Sequence, residues 1–267
     1  MADYLMRSDS PLNEHDWEQL DNLVTGIAKR QLVGRRVLPL FGPLGASAQT
    51  VPVDSFGGVG TGDEPVRRSG RAYTELRRIS KDFVLDWQDI EAAHKGLVPL
   101  PLGPAGAAAA SCAAAEDALI FRGDDGATGL LNAEGAAKAP MGDWSKGSAF
   151  DDVSVAIQKL NENSCPGPYA LIVSPAGYAR MQKPYGTTGA LEIALVRELA
   201  TDGVYQSPVL AEGEAVLIAD GVPNVDLAVG IDLAVGYLGP EDMDHRFRIF
   251  ETVAVRVKRP QAICTIA

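Results

Sequence analysis

The chain has 267 residues, 46% of them hydrophobic and 22% charged, with a formal net charge of −11; this fits one large globular domain or two small ones. It has no run of about 20 apolar residues, so no membrane-spanning helix is predicted, and its acidity argues against a dominant nucleic-acid or anionic-membrane role, since both rest on cationic patches. Cys112, Cys165 and Cys264 are odd in number, far apart and outside any Cys-x-x-Cys pair, so they read as buried free thiols of a reducing compartment. The start, Met1-Ala2-Asp3, has no signal-peptide character, and the expected location is cytoplasmic.

The first predicted element is an amphipathic helix. Asn13 is placed to cap it, with Asp16 in the capping-box position. Trp17, Leu20, Val24 and Ile27 recur at helical spacing, and Leu23 widens the stripe. The chain then passes Gly34-Arg35-Arg36 and turns extended through Val37, Leu38 and Leu40 to Gly42-Pro43-Leu44-Gly45. Residues 48–79 read as a long β excursion around a glycine-dense tip, Gly57-Gly58-Val59-Gly60-Thr61-Gly62. Arg67, Arg68, Arg71, Arg77 and Arg78 make this arm basic, and a two-stranded arm needs outside support. Residues 82–95 predict a short helix or strand. Residues 105–121 are Ala-rich and strongly helix-forming, and 123–147 is turn-rich. A helix over 150–163, a strand over 170–174, helices over 175–181 and 191–199, and a strand over 215–219 follow. Val253, Val255 and Val257 then alternate with Thr252, Ala254, Arg256 and Lys258, a period of two. The mixed order of elements predicts an α+β fold.

Signs of catalysis are weak. His15, His94 and His245 have no metal-site spacing. The glycine tip lacks the Lys-Ser/Thr and following helix of a phosphate loop. No Gly-x-Ser-x-Gly elbow occurs, and Cys112 within an Ala-rich helix suits an inert thiol better than a nucleophile. No active site, catalytic residue or metal is therefore expected.

The order of motifs is more telling. Pro11-Leu12, Trp17, Gly34-Arg35-Arg36, Gly42-Pro43-Leu44-Gly45, Ala115-Glu116-Asp117-Ala118-Leu119-Ile120-Phe121-Arg122-Gly123, Gly129-Leu130-Leu131, Gly167-Pro168-Tyr169, Asp226-Leu227-Ala228-Val229-Gly230 and Asp232-Leu233-Ala234-Val235-Gly236-Tyr237 resemble, in sequence order and over nearly the whole chain, the encapsulin shell proteins, which are built on the tailed-phage major-capsid fold. The resemblance implies a spine-helix (P) domain, an axial (A) domain and an extended β-hairpin loop (E-loop). It divides the chain into the N-terminal helix and first P-domain strand (1–47), the extended loop (48–80), the spine-helix region (81–134), the A domain (135–227) and the C-terminal P-domain strands (228–267). Many copies would assemble into a hollow icosahedral nanocompartment enclosing cargo enzymes by their C-terminal targeting peptides.

Three surfaces follow from the resemblance. The arm would cross a neighbouring subunit. Lys183, Pro184, Tyr185, Gly186, Thr187, Thr188 and Gly189 would form a five-fold pore loop passing small substrates or ions. Arg35, Leu38, Ile231, Val235 and Tyr237 would line the cargo-peptide groove, with Arg35 open to a carbonyl or carboxylate; the same apolar residues also suit a plain core. Trp87 matches a flavin-binding aromatic of some encapsulins only with a one-position shift, so no cofactor is expected and a packing role is preferred. A ferritin-like protein or a dye-decolorising peroxidase is the expected partner, with iron storage one expected use; nucleic acid and membrane are not. Two alternatives compete: a phage-type major capsid protein, disfavoured because the chain opens directly on its helix, and a small soluble hydrolase, which needs a nucleophile-and-base pair not found.

Overall fold

A computed structural model of the chain describes residues 4–53, 72–186 and 189–267. The first helix, α1 (Glu14–Gln31), starts where its cap predicts. The Asn13 side chain accepts from the Asp16 N–H, and the Asp16 carboxylate accepts from the Asn13 N–H, closing the capping box. A single turn, α2 (Gly34–Val37), follows, and then β1 (Leu40–Phe41), β2 (Thr50–Val53), β3 (Ala72–Glu75) and β4 (Arg77–Leu85). Residues 82–95 resolve into both predicted options, the end of β4 and a helix, α3 (Trp87–His94), capped by Asp86. The long α4 (Gly103–Arg122) carries the Ala-rich run. After it come β5 (Gly123–Asp124), β6 (Ala127–Thr128), β7 (Ala137–Ala139), α5 (Ala149–Glu162), β8 (Tyr169–Val173), α6 (Pro175–Arg180), α7 (Glu192–Leu199), β9 (Gly203–Gln206), β10 (Ala215–Ala219), β11 (Val225–Val229), β12 (Ala234–Glu241), β13 (Asp244–Val257) and β14 (Ile263–Ile266).

Two sheets organise these elements. In the first, the 14-residue β13 is the spine. β4 pairs with one edge of β13 over residues 245–253, while β12 (at 244–250) and β11 (at 253–257) share the other edge end to end, and β1 adds in parallel to β11. The gap between β11 and β12, opposite Glu251, is closed by residues 230–233. There Thr252 N–H donates to Ile231 O, and Ile231 N–H donates to the Thr252 hydroxyl. The second sheet runs β7-β14-β10-β8-β9. Its strands β8, β10 and β14 are buried on both faces, the pattern of a covered sheet. Leu171, Val173, Leu217 and Cys264 face α5 and α7 in one core, and Ala170, Ile172, Val216, Ile218 and Ile263 face a second core shared with Val37, Leu119, Phe121 and Leu227. That second core joins the two sheets. The three cysteines are buried and unpaired.

The 228–267 segment, expected to supply C-terminal P-domain strands, contains β12, its pairing partner β13, and also β14, which lies between β10 and β7 in the second sheet. The 225–227 part of the expected A domain belongs to β11 in the first sheet. All four residues of β14 are buried in the second sheet, and its one polar side chain, Thr265, donates to Ala137 O of the neighbouring β7.

α1 docks on α4 through small side chains. Leu20 and Val24 pack over Ala105, Ala108, Ala109 and Cys112 together with Phe83, Phe247 and Ile249. Alanine on the α4 side lets the two helices approach: a Cβ at Gly106 would lie 3.1 Å from Ile27 Cδ1. Ahead of α1, residues 4–10 cover the outer edge of β12. Tyr237 N–H donates to Leu5 O, and Arg7 donates through Nε to Val235 O, pairs with Asp21 and lies over the Trp17 ring.

Of the extended arm, the paired bases β2 and β3 are described; the glycine tip and Arg67, Arg68 and Arg71 lie outside the described residues. Arg77 pairs within its own chain with Glu75 and Asp124 and donates to Asp125 O.

Candidate functional site

Between α1, α2 and the 232–233 segment runs an open groove of about 360 Å³, lined by Thr25, Ala28, Lys29, Leu32, Arg35, Arg36, Leu40, Asp232 and Leu233. Its wall is mainly apolar, its rim carries Lys29 and Arg36 on one side and Asp232 on the other, and Leu40 is 54% exposed within it. The α2 turn that makes the floor is held by α4. Asp117 accepts the N–H of Val33 (3.1 and 3.0 Å, one to each oxygen) and of Gly34 (2.9 Å), and so caps α2 from a neighbouring helix. Burial pushes the Asp117 carboxyl up to about 6, against those two N–H groups, which favour the ion. Gly34 is required here, since a Cβ would sit 2.3 Å from Ile120 Cδ1.

Arg35 lies at the centre. Its Nε donates to both Glu116 oxygens (2.8 and 3.0 Å), Nη2 to Glu116 (2.8 Å) and Glu251 (2.7 Å), and Nη1 to Asp232 (2.6 Å). Three carboxyl groups of this chain therefore occupy it, which corrects the expectation that Arg35 stands open to a ligand carboxylate. One Nη1 N–H remains for a carbonyl. Burial, followed by the charge of Glu116, pushes the Glu251 carboxyl up to about 9.

The other four groove residues separate. Leu38, Val235 and Tyr237 are buried core, with 4%, 1% and 5% exposure, and residues 5–7 already occupy the β12 edge beside Val235 and Tyr237. Ile231 is half-buried. The apolar contact surface is supplied instead by exposed Leu40 and half-buried Leu233, over buried Ala28 and Leu32.

The 183–189 loop connects α6 to α7, with Thr187 and Thr188 outside the described residues. Its base is closed by Glu192 N–H to Lys183 O and Tyr185 N–H to Ala190 O, both across a bridge between Pro184 and Leu191. Lys183 and Gly186 are exposed. Tyr185 leans on Phe150 at 5.8 Å, and Glu192 accepts the Phe150 N–H, tying the loop to the start of α5. Trp87 opens α3 with its ring 36% exposed, beside a shallow pocket shared with Pro11, Ile90, Glu91, His94, Met243 and His245.

The family described as "Encapsulating protein for peroxidase" matches residues 2–254. The type 1 encapsulin shell protein EncA of Myxococcus xanthus is 44% identical over an alignment spanning all of this chain and 97% of that protein. The chain belongs to the encapsulin shell-protein family. Solved structures share its fold. The virus-like particle of Pyrococcus furiosus superposes with a TM-score of 0.78 over 96% of this chain and all of that one, at 23% identity. The capsid of the myovirus XM1 superposes with a TM-score of 0.62 over 85% of this chain and 88% of that one, at 13% identity. The phage likeness is thus one of fold, while the encapsulin likeness extends to sequence.

Within this encapsulin, sequence reading missed Glu116, Asp117, Asp232 and Glu251, although a signal was present. Glu251 sits on the apolar parity of β13, between Ile249 and Val253, and Glu116 and Asp117 fall one turn after buried Ala113 and one turn before buried Ile120. A charge on a buried parity indicates an internal partner.

Proposed function

We propose that this encapsulin assembles through many copies into a closed icosahedral shell in the cytoplasm, that the α1–α2 groove on its inner face takes the extended C-terminal peptide of a packaged enzyme, and that the 183–189 loop borders a pore for small substrates or ions. The observation that carries this reading is the match to a shell protein along the whole chain. The groove supports the docking role: it is open, apolar along its wall and charged at the rim and at Arg35 on the floor, which suits a peptide placing alternate side chains inward. A peroxidase is the first occupant to test, given the family description; a ferritin-like iron-storage protein is the second. The role is structural rather than catalytic. Trp87 is read as a packing residue, and flavin absorbance in purified particles would reverse that reading.

The docking half is tested by co-producing the shell with the peroxidase encoded in the same organism. Wild-type particles are expected to contain it, and Leu233→Arg particles are expected to assemble empty. Equal loading of both would remove the groove from the account.

A further inference from the structure

The floor of the groove sets one guanidinium against three carboxylates. The Glu116 and Glu251 side chains, from α4 and β13, are 0% and 1% exposed, whereas Asp232 is 62% exposed at the groove mouth. Glu251 Oε2 accepts from Arg35, but its Oε1 is buried with no donor facing it. The Glu116 carboxyl is its neighbour at the guanidinium, since Arg35 Nη2 donates to Glu116 Oε2 at 2.8 Å and to Glu251 Oε2 at 2.7 Å. Two ionised carboxylates cannot share a hydrogen bond, because each is acceptor-only, whereas a protonated one donates. If both were ionised, Arg35 (+1) with Glu116 (−1) and Glu251 (−1) would leave a net −1 removed from water, a costly arrangement.

The surrounding charges do not relieve it. From α4 come the Asp117 carboxyl, which is spent on Val33 and Gly34, and the Cys112 thiol. From α2 comes Arg36 and from β4 comes Lys81, both exposed to solvent. Asp232, from the segment before β12, adds negative charge.

We propose that Glu251 is a positioning residue of the groove that works as a neutral acid, its Oε1–H donating to Glu116 so that both carboxyl groups hold Arg35, and with it the α2 turn, in place as the groove floor. This rests on reading the groove as the docking site. With the proton removed, two like charges meet in the interior, and the relief open to them is separation of the α4 and β13 carboxylates about Arg35, which shifts the guanidinium bound to both and with it the α2 turn. Because α2 and the 232–233 segment both line the groove, occupancy follows the proton. Burial raises the Glu251 pKa, so the grip is fully present below the ordinary carboxylate range and is lost as pH rises through about 9.

The test is infrared difference spectroscopy of assembled wild-type and Glu251→Gln particles, with the packaged peroxidase counted alongside. The neutral amide of Gln keeps a donor toward Glu116 and an acceptor toward Arg35 but cannot ionise, so loading of the variant, whatever its level, is expected not to change with pH. Wild-type protein at neutral pH is expected to show a protonated-carboxyl C=O band that Glu251→Gln lacks and that disappears at alkaline pH. Over the same range wild-type loading should fall several-fold while Glu251→Gln loading stays constant. Absence of the band at neutral pH overturns the proposal whatever docks in the groove. A band in place while Leu233→Arg particles load normally fails the docking reading instead, and with it the claim that Glu251 serves the groove. Should Glu251→Gln not assemble, the alkaline titration of the wild-type band decides alone.

Discussion

Asp226 shows what individual buried charges do in this protein. It accepts from Arg256 at 2.7 and 2.6 Å and from Lys258 at 2.7 Å, with all three side chains at most 7% exposed. Arg256 also donates to Pro52 O and lies 4.0 Å from the Phe41 ring centroid. One carboxylate thus fastens β13 to β11 and, through Arg256, to the root of the arm. Removing one partner of a buried pair leaves an uncompensated charge, so Asp226→Ala should cost about 3–5 kcal/mol. It should lower the denaturant midpoint, and a surface variant such as Asp89→Ala should leave that midpoint unchanged. Asp117 predicts a pH effect of determined sign. Its folded pKa of about 6 lies above the ordinary carboxylate value, so its contribution is complete in acid and is lost as pH rises through about 6. Asp117→Asn should therefore gain melting temperature relative to wild type on going from acid to neutral pH, as read by scanning calorimetry. A constant difference across that range would contradict the assignment.

At the scale of elements, the α1–α4 contact carries the spine of the first domain. Leu20 is fully buried between Ala-rich α4 and the aromatic group of Trp17, Phe83 and Phe247. Leu20→Ala should cost about 2–5 kcal/mol through lost burial and a cavity, measured as a shift in denaturant midpoint. These elements were legible because their signals are local: the Asn13 cap, the i, i+3, i+4 stripe of α1, the alanine run of α4 and the alternation of β13 each lie within a few residues. The destination of β14 was not legible, because a four-residue, mostly apolar strand fits either sheet, and only its folded pairing between β7 and β10 decides. The groove was half legible for a related reason. Arg35 was found, but Leu38, Val235 and Tyr237 proved to be core, since an apolar side chain in a groove wall and one beneath it have the same local pattern. The acidic partners of Arg35 come from α4, β13 and the segment before β12, far away in sequence, and only the folded chain brings them together.

The whole chain is a shell-protein building block: two sheets are joined by a shared apolar core, the β2–β3 pair roots the arm, and a bridge between Pro184 and Leu191 closes the base of the 183–189 loop. Identical copies in heterologous contact close into a shell when the rotation between neighbours permits. The central claim is tested most directly by size-exclusion chromatography of the full-length protein, with electron microscopy of the earliest peak. The account predicts uniform hollow particles far larger than the 28.2 kDa chain, with a diameter that gives the number of subunits. A monomer or small oligomer as the stable species at every concentration would contradict it.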